Sequence, residues 1–299
     1  MLSLVSVLAL QAQIMNVTSV QQLGVSSDEN LITQAVAISP QGDYLLLSTD
    51  TKRGLTKWDI ATGQPQVLTD EEGTGNQVMI SDDGRQLVYS QVSYSNKRRQ
   101  EAVKAINLGT GKKQTLVKPT RELQGVALDN VTVATISRGQ FKARALDGKT
   151  ATISRPVLTH HHLKLYITRN GVTNQLAPNG TDQHYIWASL SPDGSKVLYY
   201  VSGFGTFVCD TDGNNVISMG NILAPKWWDD YTIVGTHEVD DEYSILASSI
   251  VARTLDGQEQ TLTGGEVIAT YPLPAAKAGK IAFSTPDGKV FLINVELPK

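Results

Sequence analysis

A single cysteine, Cys209, stands among the 299 residues, so no disulfide can form within the chain. Its setting, GTFVCDTDG, reads as a strand residue packed as a small hydrophobe, not as a reactive thiol. Charge of one sign is equally scarce. The formal net charge of -3 gives no field that would gather nucleic acid, which is excluded as a partner. The one local exception, SNKRRQ at 95–100, reads as a solvated loop. Long apolar runs are missing too, so no segment is expected to span a bilayer.

The opening MLSLVSVLALQAQ has the short apolar stretch and small, polar end of a signal peptide, although it lacks the usual basic start. Residues 1–13 are therefore read as a truncated or unusual leader, cut near Ala12 or Gln13. Residues 14–299 are read as one mature domain, periplasmic or secreted. No cysteine beside the cut is available for a lipid anchor.

What is present is repetition. SLSPDGSKVLYY (189–200) combines a proline that pre-sets φ, an aspartate that bonds nearby backbone and a glycine that accepts positive φ, which together make a tight hairpin. Variants recur at ISPQGDYLLLS (38–48), ISDDGRQLVYS (80–90) and, more loosely, FSTPDGKVFLI (283–293). A second turn interleaves with the first at WDIATGQPQVLT (58–69), INLGTGKKQTLV (106–117), CDTDGNNVISMG (209–220) and ARTLDGQEQTLT (252–263). Two hairpins per period give a four-stranded antiparallel unit, and Ser39 to Ser81 spans 42 residues.

Units of this kind at this period predict an all-β propeller of six blades. Innermost strands are expected near 34–38, 76–80, 124–128, 185–190, 223–228 and 268–274. The last blade is short of an outer strand, and NVTSVQQLG (16–24) is placed to supply it, closing the ring and removing an open edge. Residues 138–182 contain two hairpin-like stretches where one blade has room for one. Either one is an insertion or the ring has seven blades.

The SPDG phrase, with YIWASLSPDGSKVLYY and PKWWDDYTIVGT, resembles the repeats of the TolB-like propeller family over about residues 16–299. That resemblance implies a six-unit ring of extracytoplasmic bacterial origin. TolB-like proteins carry an α/β domain ahead of the propeller, and their propeller docks a peptidoglycan-associated lipoprotein. No counterpart of the first domain precedes the repeats here, so a TolA partnership is not carried over. Similar repeats occur in peptidase amino-terminal domains and some carbohydrate-active enzymes, so the likeness indicates fold more than activity.

Loops joining second to third strands, and one blade to the next, share a face of a propeller, and function concentrates there. They are expected to carry TDTKRG (49–54), SYSNKRRQ (93–100), GTDQHYIW (180–187) and THEVDDEYS (236–244). Tyr94, Arg98, Tyr185, Trp187, Asp240 and Tyr243 are the binding-face candidates. In the six-blade layout, His160, His161, His162, His184 and His237 fall on this side as well. His162, His184 and His237 are the candidate ligands of a divalent transition metal, with Asp240, Asp241 and Glu242 beside them. Against convergence, adjacent histidines on a strand point oppositely, and a seven-blade layout is expected to move the triplet to the other face.

No nucleophile elbow appears, and the serines of the repeated turns are explained by backbone geometry. Trp227 and Trp228 belong to an innermost strand, with Trp228 read as packing between blades. The reading is therefore a non-enzymatic, monomeric recognition or scaffold module for an envelope protein or peptide, without a cofactor. A metal-dependent lyase or hydrolase acting on a charged saccharide is the alternative.

Overall fold

The computed structural model describes residues 13–25, 32–151, 153–241 and 243–297; the leader reading of residues 1–12 lies outside them. After β1 (Asn16–Gln22) come seven small antiparallel sheets. Blade 1 holds β2 (Thr33–Ile38), β3 (Tyr44–Thr49), β4 (Leu55–Asp59) and β5 (Pro65–Thr69); blade 2 holds β6 (Val78–Ile80), β7 (Gln86–Ser95), β8 (Arg98–Asn107) and β9 (Lys113–Thr120). Two three-stranded blades follow: β10 (Leu123–Asp129), β11 (Thr132–Ser137) and β12 (Gln140–Ala145), then β13 (Val157–His161), β14 (Lys164–Arg169) and β15 (Val172–Leu176). Blade 5 is β16 (Tyr185–Leu190), β17 (Lys196–Val201), β18 (Gly205–Asp210) and β19 (Ile217–Ser218). Blade 6 is β20 (Leu223–Trp227), β21 (Thr232–Asp240), β22 (Ile245–Thr254) and β23 (Glu259–Thr261). Blade 7 is β24 (Thr270–Ala275), β25 (Lys280–Ser284) and β26 (Val290–Glu296), completed by β1.

The fold is thus an all-β propeller of seven blades, not six. Six innermost strands lie where the repeats place them, and the seventh, β13, comes from the crowded 138–182 stretch. Blades 3 and 4 each have three strands, so a four-strand period covers the pair as one irregular unit. Of its two hairpin-like stretches, 163–180 is a hairpin, β14–β15, whereas 140–156 holds the single strand β12 followed by irregular chain among the described residues.

An odd number of strands has a geometric consequence. We call the rim carrying the second-to-third strand turns of the four-stranded blades the upper rim. Blade 3 ends at the lower rim after three strands, so β13 enters from below and runs opposite to its neighbours. Gly125 lies against Thr159, while Asp129, four residues later, is paired at 2.8 Å with Arg155, four residues earlier. On the other side His160 Nε2 is 2.7 Å from the Tyr185 carbonyl, and Arg155 donates to the Pro192 carbonyl at 2.6 Å. Blade 4 then ends at the upper rim and the regular order resumes. The expectation that seven blades would carry the His160–His162 triplet away is corrected: with β13 reversed, the β13–β14 turn opens upward.

Buried apolar clusters join blade 1 to 2, 2 to 3, 4 to 5, 5 to 6, 6 to 7 and 7 to 1. Ala35, Leu45, Leu47 and Trp58 of blade 1 pack on Ala282, Val290 and Leu292 of blade 7, which is how the ring closes. β1 pairs antiparallel with β26 from Asn16↔Glu296 to Gln22↔Phe291. Gln260 fastens the approach to β1, with its Oε1 accepting from the Ile14 and Met15 amides at 2.7 and 2.8 Å and its Nε2 donating to the Met15 carbonyl at 2.9 Å.

The repeated turns behave as their chemistry requires. Ser191 is buried, accepts from the Lys196 amide at 2.9 Å and donates to Asp193, while Gly194 takes φ 75°. Ser39 and Ser81 are fully buried in the same role. One phrase is misplaced by the sequence: TPDG at 285–288 joins β25 to β26 on the upper rim, and the inner hairpin of blade 7 is instead closed by a short 3-10 turn, Ala276–Ala278. Cys209 is buried, and burial pushes its thiol pKa up to about 12, so the nucleophilic thiolate is disfavoured.

Candidate functional site

The upper rim is distinguished by two long hairpins. β7–β8 and β21–β22 run nine or ten residues per strand where the second and third strands of the other blades run five to seven, and so stand above the ring. They rise from blades 2 and 6 with opposite charge, Lys97, Arg98 and Arg99 on one and Glu238, Asp240 and Asp241 on the other. Burial, then the neighbouring Asp240 charge, raises the Glu238 carboxyl above its usual range.

Five of the six binding-face candidates lie on this rim with exposed or half-exposed side chains. Tyr94 and Arg98 belong to the blade 2 arm; Asp240 ends β21, and Tyr243, 93% exposed, caps the blade 6 arm. Trp187 is half-buried on the innermost strand of blade 5. Tyr185 is corrected: it is completely buried, its hydroxyl donating to the Gly180 carbonyl at 2.9 Å and accepting from the Asn179 amide at 3.0 Å. Strand alternation sends it inward between blades 4 and 5, beside Tyr199.

Beyond Tyr185 the alternation breaks. Bulges interrupt the innermost strands after Ile186, Leu223 and Thr270, and the next residues, Trp187, Ala224 and Tyr271, take φ of 52°, 46° and 51°. For a bulky residue this left-handed conformation costs roughly 1–2 kcal/mol, and bulges commonly re-aim side chains beside functional sites. Trp187 meets Tyr200 edge-on at 5.2 Å, and Tyr271 stands 51% exposed. Tyr271 escaped the sequence reading because nothing local marks a bulge. Trp227 is buried and donates to the Ser189 carbonyl at 3.3 Å, whereas Trp228 is half-buried against the core between blades 6 and 7.

All five histidines lie toward the upper rim, but in different roles. His161 and His162 stack at 3.8 Å, and burial followed by the other two histidines lowers the His161 pKa. His160 is bonded to Tyr185, and His237 sits 3.7 Å from Glu259. Among the described residues no three His, Cys, Asp or Glu side chains come together as a metal site, so His162, His184 and His237 do not form a common ligand set there.

Two clefts open near the blade 2 arm. The first, about 330 Å³, is lined by Thr69, Glu71, Tyr89, Lys104 and Lys113. Its polar groups satisfy one another: Glu71 pairs with Lys104 and accepts from Thr69 at 3.1 Å, and Lys113 donates to the Leu68 carbonyl at 2.5 Å. It fastens blade 1 to blade 2. The second, about 450 Å³, is lined by Ser95, Asn96, Arg98, Gln100 and Arg121.

No protein-family model matches the chain, and no curated protein sequence matches it significantly. Solved structures do resemble it. U3-55K aligns with TM-score 0.64 at 7% identity over 94% of this chain and 99% of that one. A chain of a mitotic checkpoint complex aligns with TM-score 0.58 at 12% identity over 95% and 93%. A putative TolB from Agrobacterium tumefaciens aligns with TM-score 0.52 at 18% identity over 90% and 91%. At such identities the likeness shows the fold alone: this chain is a β-propeller. Among the described residues no helix is long and apolar enough to cross a membrane.

Proposed function

We propose that this protein is a TolB-like recognition propeller of the bacterial envelope, periplasmic or secreted, whose upper rim binds another protein or a peptide. One observation carries the reading. Exposed large apolar side chains are more numerous on the upper rim, at Tyr94, Leu163, Phe204, Val239, Tyr243, Leu246 and Tyr271, than on the lower, where Val172, Val216, Tyr231 and Leu297 are exposed. Exposed aromatic and aliphatic groups rimmed by charge are the composition of a protein contact surface. The envelope location rests on the leader-like opening residues and the repeat resemblance.

Photo-crosslinking residues placed at Phe204 and Tyr243, and at Tyr231 as the opposite-face control, test it in the native cell. A discrete protein adduct from the first two and none from the third is the expected result. Equal labelling from both faces, or none, counts against it. Elemental analysis of protein purified without chelator separates the alternative: about one transition metal ion per chain would favour saccharide chemistry.

A further inference from the structure

The structure assigns the cavity beside the tip of the blade 2 arm as an oxyanion-binding subsite, taking a carboxylate or phosphate group of a ligand. The argument begins with strand alternation. In the β7–β8 ladder Ser95 faces Arg98, and Tyr94 faces Arg99, so Ser95, Arg98 and Gln100 share one side of the hairpin while Tyr94, Arg99 and Glu101 share the other. On that other side the charge is internally spent, since Arg99 pairs with Glu101 at 2.5 Å. On the cavity side it is not.

The cavity residues come from two elements. Arg121 reaches it from the connection between blades 2 and 3, whereas Arg98 belongs to the arm. Neither guanidinium has a hydrogen-bond or ion-pair partner among the described residues, and the same holds for the side chains of Ser95, Asn96 and Gln100. The neighbouring 330 Å³ cleft makes the contrast, since its lysines and glutamate are consumed within the fold. Two positive charges with three neutral hydrogen-bonding side chains and no carboxylate in the lining form an electropositive, donor-rich concavity. Planar guanidinium forks match carboxylate and phosphate oxygens two at a time.

The turn holds the arrangement in place. Asn96 and Lys97 take φ of 50° and 61°, a two-residue connection of the type that matches strand twist and fixes register, so Ser95 and Arg98 are held opposite each other. The space of about 450 Å³ has room for such an anionic group.

Isothermal titration of the intact protein at constant ionic strength tests the assignment, with inorganic phosphate as one probe and a short glutamate-containing peptide as the other. Arg98→Gln and Arg121→Gln are each expected to weaken binding by about tenfold or more, as loss of a charge-assisted hydrogen bond does. Arg99→Gln, which removes the same charge one residue away, should leave it unchanged. Melting curves of the three variants, all altered at exposed positions, confirm that the fold is kept. A peptide that displaces phosphate, with its glutamine counterpart silent, identifies acidic protein side chains as the source of the anion. Phosphate binding without peptide binding identifies a free anion; either result supports the subsite. No binding of either probe overturns it, as does an equal loss in Arg99→Gln.

Discussion

Tyr185 shows how a single hydroxyl ties neighbouring blades. Its ring fills the contact between blades 4 and 5, and its oxygen serves both the Gly180 carbonyl and the Asn179 amide of the loop between them. Tyr185→Phe is expected to cost about 1–2 kcal/mol, the usual consequence of stranding buried hydrogen-bonding groups, while leaving upper-rim binding intact. Denaturant melts and crosslinking yield measured on the same variant would check both halves. The turn carboxylates set a pH limit. Bonds from Ser191 and from the Ser195 amide and hydroxyl hold the Asp193 carboxyl far below its usual range; Asp287 is lowered by Lys289 and Thr285, and Asp256 by Thr254. A folded pKa below the unfolded value, about 3.9, means the stabilisation is complete above the unfolded value and is lost as pH falls toward the folded one. Urea midpoints should therefore drop from about pH 5 downward, and Asp193→Asn should be less stable at neutral pH with a flatter acid limb. An unchanged acid slope in that variant would remove Asp193 as a contributor.

At the scale of elements, two contacts decide the ring. One is β1 on β26, without which blade 7 would expose an open edge; deleting residues 13–22 should abolish a cooperative melt, and Gln260→Ala, losing three hydrogen bonds, should lower stability by about 2–3 kcal/mol. The other is the close approach of blades 3 and 4. A Cβ added at Gly125 would lie 2.5 Å from Cβ and Cγ2 of Thr159, so Gly125→Ala should destabilise by about 1–3 kcal/mol and Thr159→Gly should restore part of that loss. The second variant failing to rescue would argue against the reversed β13. The turns that build the regular blades were legible because a serine, a glycine and an aspartate fix them locally, as Ser191, Asp193 and Gly194 do. Strand direction is not local. Nothing in VLTHH (157–161) marks the direction of β13, and only the three-strand length of blade 3 turns it over. Arg121 was hidden for the same reason, since the residues that line the cavity with it lie on another hairpin.

The whole molecule combines a closed, self-satisfied ring with one uneven rim. The six regular innermost strands and the closing strand were legible as periodicity; the seventh blade was legible only as the alternative left open by the crowded 138–182 stretch, because blades 3 and 4 fall outside the period. At the rim the candidates Tyr94, Arg98, Asp240 and Tyr243 follow from polar loops, but Trp187 and Tyr271 owe their aim to bulges that no pattern marks. The two arms offer the most direct way to separate scaffold from function. The β21–β22 tip carries Val239, Tyr243 and Leu246 at 61%, 93% and 60% exposure, so it contributes little to the core that holds blade 6. Its strand bases do contribute, through Val234, Ile250 and Ala252 packed against blade 7. Replacing residues 239–246 with a two-residue Asn-Gly turn should therefore leave the melting temperature within a few degrees of the parent while removing the crosslinked adduct formed at Phe204, because the partner would lose its largest apolar contact. A parallel loss of stability would mean that the arm belongs to the fold; an undiminished adduct would move the contact surface toward blades 2 and 5.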